Sequence, residues 1–188
     1  GCVYATDFSA DQLLCFKPIS SASLKPLGVA GRLPQGEAPR HMAFAPNGRY
    51  VYVMSELGGA VTVFKWKGDH LERLQTIASD SVGGRGGADL HLSPDGRYLY
   101  ASNRLKADGI SIFKVDAGTG KLHKVGYQST ELHPRNFALT PNGRYLLCAC
   151  RDGNCIQVFA RDAETGLLVI KQTIRLRKPV CIRFKARN

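Results

Sequence analysis

Acidic residues are scarce: the 188 residues carry 15 Asp and Glu against 26 Lys and Arg, a formal charge of +11. Such an excess raises nucleic acid as a partner first. The Lys and Arg are scattered, however, many of them in recurring turns, and no basic run is interleaved with aromatics. The chain is therefore read as having no nucleic-acid partner, and the excess as basic surface or a basic pocket for a small anion. No run of 18 apolar residues occurs, which excludes a transmembrane helix and with it a membrane partner. The opening "GCVYATDF" has neither the basic head nor the apolar stretch of a signal peptide. The six cysteines form no C-x-x-C pair and no Cys/His ligand spacing. They are read as buried reduced thiols, which favours a cytoplasmic protein. G-x-S-x-G, H-E-x-x-H and EF-hand patterns are also absent, and "GGRGG" (83–87) lacks the Lys-Ser/Thr of a P-loop. The bland reading of that stretch is a flexible loop; backbone amides cradling an anion are the alternative.

What the chain does have is a repeated phrase. It reads "APNGRYVYVMSE" (45–56), "SPDGRYLYASNR" (93–104) and "TPNGRYLLCACR" (140–151), with Gly48, Gly96 and Gly143 spaced 48 and 47 residues apart. A short apolar run precedes each phrase, and Pro followed by Asn/Asp-Gly marks a tight turn. Period-two segments follow: "AVTVFKW", "GISIFKV" and "CIQVFAR". A further segment closes each unit: "HLERLQTI", "KLHKVGYQS" and "LLVIKQTI". Four antiparallel strands in a period near 47 residues describe an all-β chain, a β-propeller of four-stranded blades.

The register divides the chain into a blade without its first strand (1–38), three blades (39–86, 87–133, 134–178) and the first strand of a closing blade (179–188). "VYATD" aligns with "VYVMS", and "PVCIRF" with "PRHMAF" and "PRNFAL". The expectation is the C-terminal part of a larger ring, with open blade edges able to associate with other chains.

The phrases "PRHMAFAPNGRYVYVMSEL", "ADLHLSPDGRYLYASNR" and "PRNFALTPNGRYLL" carry a resemblance to the seven-bladed lactonase family, which includes propeller-type 6-phosphogluconolactonases and carboxymuconate cyclases. The resemblance runs from "VYATD" to "PVCIRF". It implies seven blades, about four of them in this chain, and a lactone-processing enzyme without a cofactor.

Propeller geometry gathers the loop before each first strand and the loop after each second strand on one face. Arg40, Ala88 and Arg135, followed by His41, Asp89 and Asn136, take the first position. Glu56, Arg104 and Arg151 take the second. The phrase is framework, and its last letter is free to specialise. A carboxylate at such a mouth can move a proton, and arginine forks bind carboxylate or phosphate. Glu56, Arg40 and Arg104 are the candidate catalytic residues. His41, Asp89, Asn103, Arg135 and Asn136 are the candidate substrate-binding residues. The resemblance implies the same: the cyclases' active-site glutamate and arginines match Glu56, Arg40 and Arg104. Their histidine lies on a strand that would precede Gly1.

Asp89 and His91 alternate onto one face, where hydrogen bonding between blades is the plainer account. His70, His123 and His133, in loops or outer strands, are read as non-catalytic. The expected function is hydrolysis of a sugar lactone such as 6-phosphogluconolactone, or muconate-type cyclisation, on a small anionic substrate. A binding or scaffold propeller is the alternative. A lactone hydrolase with a channel metal, weakly favoured by Asp89, Asn103 and Asn136, is a third.

Overall fold

The computed structural model describes residues 1–185. Every regular element among them is a β-strand, and all pairings are antiparallel. The first sheet is β1 (Val3–Asp7), β2 (Gln12–Ser20) and β3 (Ser23–Arg32). The second is β4 (Pro39–Phe44), β5 (Tyr50–Ser55), β6 (Ala60–Trp66) and β7 (Leu71–Ala78). The third is β8 (Gly87–Leu92), β9 (Tyr98–Asn103), β10 (Gly109–Val115) and β11 (Leu122–Ser129). The fourth is β12 (Pro134–Leu139), β13 (Tyr145–Cys150), β14 (Cys155–Arg161) and β15 (Leu168–Arg175). Each sheet is a meander, its leading strand standing against that of the next sheet, so β4, β8 and β12 lie side by side. This is the architecture of a partial β-propeller.

The repeated phrase does three jobs. Its Asn/Asp-Gly closes the turn: Gly48, Gly96 and Gly143 sit at φ 66°, 69° and 66°, where a Cβ is costly. The preceding Asn47, Asp95 or Asn142 accepts the backbone N–H two residues on. In the second and third sheets the strand that follows is buried on both faces. In β5, Val51 and Val53 point into the core shared with the first sheet. Tyr50, Tyr52 and Met54 point into the core shared with the third. In β9 the same alternation sends Leu99 and Ala101 one way and Tyr98 and Tyr100 the other.

The tyrosines then tie blade to blade. Tyr50 and Tyr52 donate to the carbonyls of Gly118 and Gly120 in the outer turn of the third sheet, at 2.6 and 3.1 Å. Tyr98 and Tyr100 repeat this on Glu164 and Gly166 of the fourth.

The segment expected as a closing first strand, Pro179–Phe184, is irregular through residue 185. A strand needs a ladder partner. Here the segment's backbone bond to the fourth sheet goes from Ile182 N–H to the Asn136 side chain, at 2.7 Å. Residues 186–188 of the same expectation lie outside the described residues. All six cysteines are free; Cys15, Cys148, Cys150 and Cys155 are buried, Cys2 and Cys181 exposed. Among the described residues no helix is long and apolar enough to cross a membrane.

Candidate active site

Bulges at the start of β4, β8 and β12 build the mouth. The β4–β5 register slips between Pro39 and His41, β8–β9 between Gly87 and Leu90, and β12–β13 between Pro134 and Asn136. Such slips re-aim side chains and recur beside active sites. They free Arg40 and Arg135 from the strict alternation of the strand. A backbone bond clamps each mouth: Glu56 N–H to Ala38, Arg104 N–H to Gly86 and Arg151 N–H to His133, at 2.8, 2.9 and 2.9 Å.

The three candidate catalytic residues meet. Glu56 Oε2 is 2.9 Å from Arg40 Nε, and its Oε1 is 3.2 Å from Arg104 Nη2. The Glu56 side chain is 30% exposed, so the carboxylate is held yet open to a ligand. The two arginines face inward. Arg40 Nη1 donates to the Ala88 carbonyl at 2.6 Å, across to the third sheet. Arg104 is buried and donates to the carbonyls of Gly86 and Gly87, at 3.1 and 3.2 Å, besides pairing with Glu56. Burial holds its guanidinium below the ordinary arginine range, although Glu56 pulls the other way. With their forks spent on Glu56 and backbone, both arginines orient the carboxylate more than they offer a free clamp.

Arg135 is different. Half-buried beside Arg104 and His133, it has no acceptor among the described residues. It is the guanidinium at this mouth left open to an anion.

Asp89 and Asn103 offer no open surface for substrate. Asp89 is 3% exposed, and its carboxylate takes His41 Nδ1 at 2.8 Å and His91 Nε2 at 3.2 Å. It also takes Asn136 Nδ2 at 2.5 Å and the N–H groups of Leu90 and Phe137. Burial alone would raise its pKa; hydrogen bonds from the two histidines outweigh this and hold the carboxyl well below the usual range. Asp89 thus latches three sheets together through His41 and Asn136. Asn103 is buried inside its blade against Ser111, with its Oδ1 unpartnered. His41 keeps 45% of its side chain exposed and can still face the channel. Among the described residues no group of three or more His, Cys, Asp or Glu is placed to hold a metal ion.

One residue read from the sequence as idle stands in the mouth. His133 Nε2 lies 3.3 Å from Arg104 Nη1, and its Nδ1 lies 2.9 Å from Asp152. The available signal was positional: His133 immediately precedes Pro134-Arg135, as Ala38 precedes Pro39-Arg40.

Comparison with known proteins places the chain in a family. The chain is 38% identical over 164 residues to the 6-phosphogluconolactonase of Erwinia tasmaniensis, covering 86% of this chain and 47% of that protein. It is 36% identical over 169 residues to the 6-phosphogluconolactonase of Formosa agariphila, covering 88% and 45%. The solved structure of a candidate 6-phosphogluconolactonase from Bacteroides uniformis superposes with TM-score 0.93 at 51% identity, over 98% of this chain and 54% of that one. The periplasmic gluconolactonase of Pseudomonas aeruginosa superposes with TM-score 0.91 at 33% identity, over 97% and 53%. The chain spans about half the length of the relatives it matches. Residues 1–184 match the model of the seven-bladed β-propeller lactonases, and the chain belongs to that family.

Proposed function

We propose that the protein is part of a lactonase that hydrolyses the lactone of a phosphorylated sugar acid, with Glu56 as its proton-transfer group. The observation that carries this is the Glu56 carboxylate held between Arg40 and Arg104 at 2.9 and 3.2 Å, in a mouth still open to a ligand. Water adds to the lactone carbonyl carbon while Glu56 takes its proton. The carbonyl oxygen becomes an oxyanion, stabilised by the cationic mouth. The ring C–O bond then breaks, and the departing oxygen takes the proton back from Glu56. A carboxylic acid, which then ionises by releasing its proton to solvent, and a hydroxyl result, and Glu56 is regenerated as the carboxylate. Arg135 holds the substrate's anionic group, since planar forks suit phosphate and carboxylate. The names of the 6-phosphogluconolactonase relatives support this substrate class.

The activity is assigned to the full-length propeller, and this chain alone is expected to lack turnover. The compartment, read as cytoplasmic from the free thiols, is likewise a proposal; the Pseudomonas relative is described as periplasmic. The test is a steady-state assay of the full-length propeller on 6-phosphogluconolactone and on carboxymuconate, with and without chelator. Glu56→Gln keeps the shape but not the proton, and kcat should fall by about 10²–10⁴. An unchanged kcat in that variant would refute the role of Glu56. Turnover of carboxymuconate alone would move the reading to cyclisation, and loss of activity with chelator would move it to a metal-dependent site.

A further inference from the structure

We infer that His133 and Asp152, in the loops just before β12 and just after β13, form a positioning pair that holds Arg104, and through it Glu56, in the geometry the reaction needs. The inference rests for its chemistry on the lactone-hydrolase reading, but its structural part stands apart from it. The contacts run Asp152 Oδ2, His133 Nδ1 at 2.9 Å, His133 Nε2 to Arg104 Nη1 at 3.3 Å, and Arg104 Nη2 to Glu56 at 3.2 Å.

Donor and acceptor roles follow from chemistry. A guanidinium has only donors, so the imidazole Nε2 facing it must be the bare, accepting nitrogen. The proton is then on Nδ1 and is donated to Asp152. His133 is thereby assigned as the neutral Nδ1–H tautomer, the second nitrogen's role being fixed by the partner of the first. Its backbone is held too: its N–H donates to Asp108 at 2.7 Å, its φ is 61°, and its carbonyl clamps Arg151. The imidazole is 14% exposed.

The charged groups around it are mostly cationic. Arg104, Arg151 and Arg135 disfavour an imidazolium, Asp152 favours one, and Asp108 is engaged with the His133 backbone. Burial first, then the Arg104 charge, keep the ring below the ordinary histidine value. Protonating His133 would remove Arg104's acceptor and set two cations face to face. The geometry around Glu56 would loosen on the acid side.

The test has two readouts. Nitrogen-15 spectra of the imidazoles in this 188-residue chain report tautomer and titration without any turnover. His133 should be the Nδ1–H form at neutral pH and titrate below the ordinary histidine value. In Asp152→Asn its midpoint should fall further, and in Arg104→Gln it should rise. An Nε2–H tautomer, or a midpoint unmoved in Asp152→Asn, would overturn the pair even if Arg104→Gln fails to fold.

In the full-length propeller, His133→Ala should lower kcat for 6-phosphogluconolactone roughly 10–100-fold with KM little changed, as for a lost hydrogen bond to a charged group. His133→Gln, which can accept from Arg104 but cannot titrate, should recover most of that loss and flatten the acid limb of the pH profile. Wild-type kcat in His133→Ala together with an unchanged acid limb in His133→Gln would overturn the positioning role. Absence of turnover in the wild type as well would count against the lactonase reading, and the spectra would still decide the pair.

Discussion

A single buried carboxylate, Asp89, shows how one side chain can tie three sheets together. It accepts from the second sheet through His41, from its own strand through His91, and from the fourth sheet through Asn136 and Phe137 N–H. Asp89→Asn preserves volume but turns one acceptor into a donor among donors. Stability should drop by about 1–3 kcal/mol at neutral pH, the cost of unsatisfied buried polar groups. The folded-state pKa is depressed, so the ionised carboxyl contributes fully above its unfolded value of about 3.9, and that contribution is lost as pH falls toward the folded value. Denaturant midpoints of wild type and variant should therefore converge below about pH 4. A gap that stays constant into acid would show that the charge of Asp89 is not what the latch uses.

At the level of the element, β5 and β9 work because both of their faces are used. Their tyrosines pack against a glycine of the next blade's outer turn. Gly120 has φ 72°, and a Cβ there would meet the Tyr50 ring at 2.4 Å. Gly48, with φ 66°, would place a Cβ in open space. Both substitutions to Ala carry the backbone cost of roughly 1–2 kcal/mol. Gly120→Ala adds overpacking of about 1–3 kcal/mol. Gly120→Ala should therefore lower the thermal midpoint clearly more than Gly48→Ala. Equal losses would mean that the tyrosine ring moves freely and the blade-to-blade tie is weak.

For the molecule as a whole, a closed ring leaves no blade with a bare face. Among the described residues the first and fourth sheets each pack against one sheet only. Apolar side chains are correspondingly exposed: Leu24, Leu27 and Val29 on the first sheet, Val169, Ile170 and Ile174 on the fourth. Exposed apolar faces and strand edges drive association. This chain should self-associate with rising concentration in sedimentation equilibrium, and Val169→Lys with Ile174→Lys should shift it toward monomer. A wild-type monomer across the whole concentration range would contradict this.

The repeat alone determined much of this protein. Turn chemistry is local: a Pro followed by Asn/Asp-Gly and a period-two run act over a few residues, so strand, turn and blade period are legible in "PNGRYVYV". Glu56, Arg40 and Arg104 were legible too, because repeat registration places equivalent positions on one face whatever the side chains do. Which way those side chains turn was decided only by tertiary structure. The register slips at Pro39, Gly87 and Pro134 release residues from the alternation, and no residue type marks a slip in advance. Asn103, placed at the mouth by alignment, lies in the interior, and Asp89 makes the bonds between blades that its alternation with His91 suggested, while His133, read as a loop residue, stands beside Arg104. Pro179–Phe184 makes the same point from the other side: its sequence suits a strand, but a strand exists only where another chain segment supplies the hydrogen bonds, and that is a property of the fold and not of the segment.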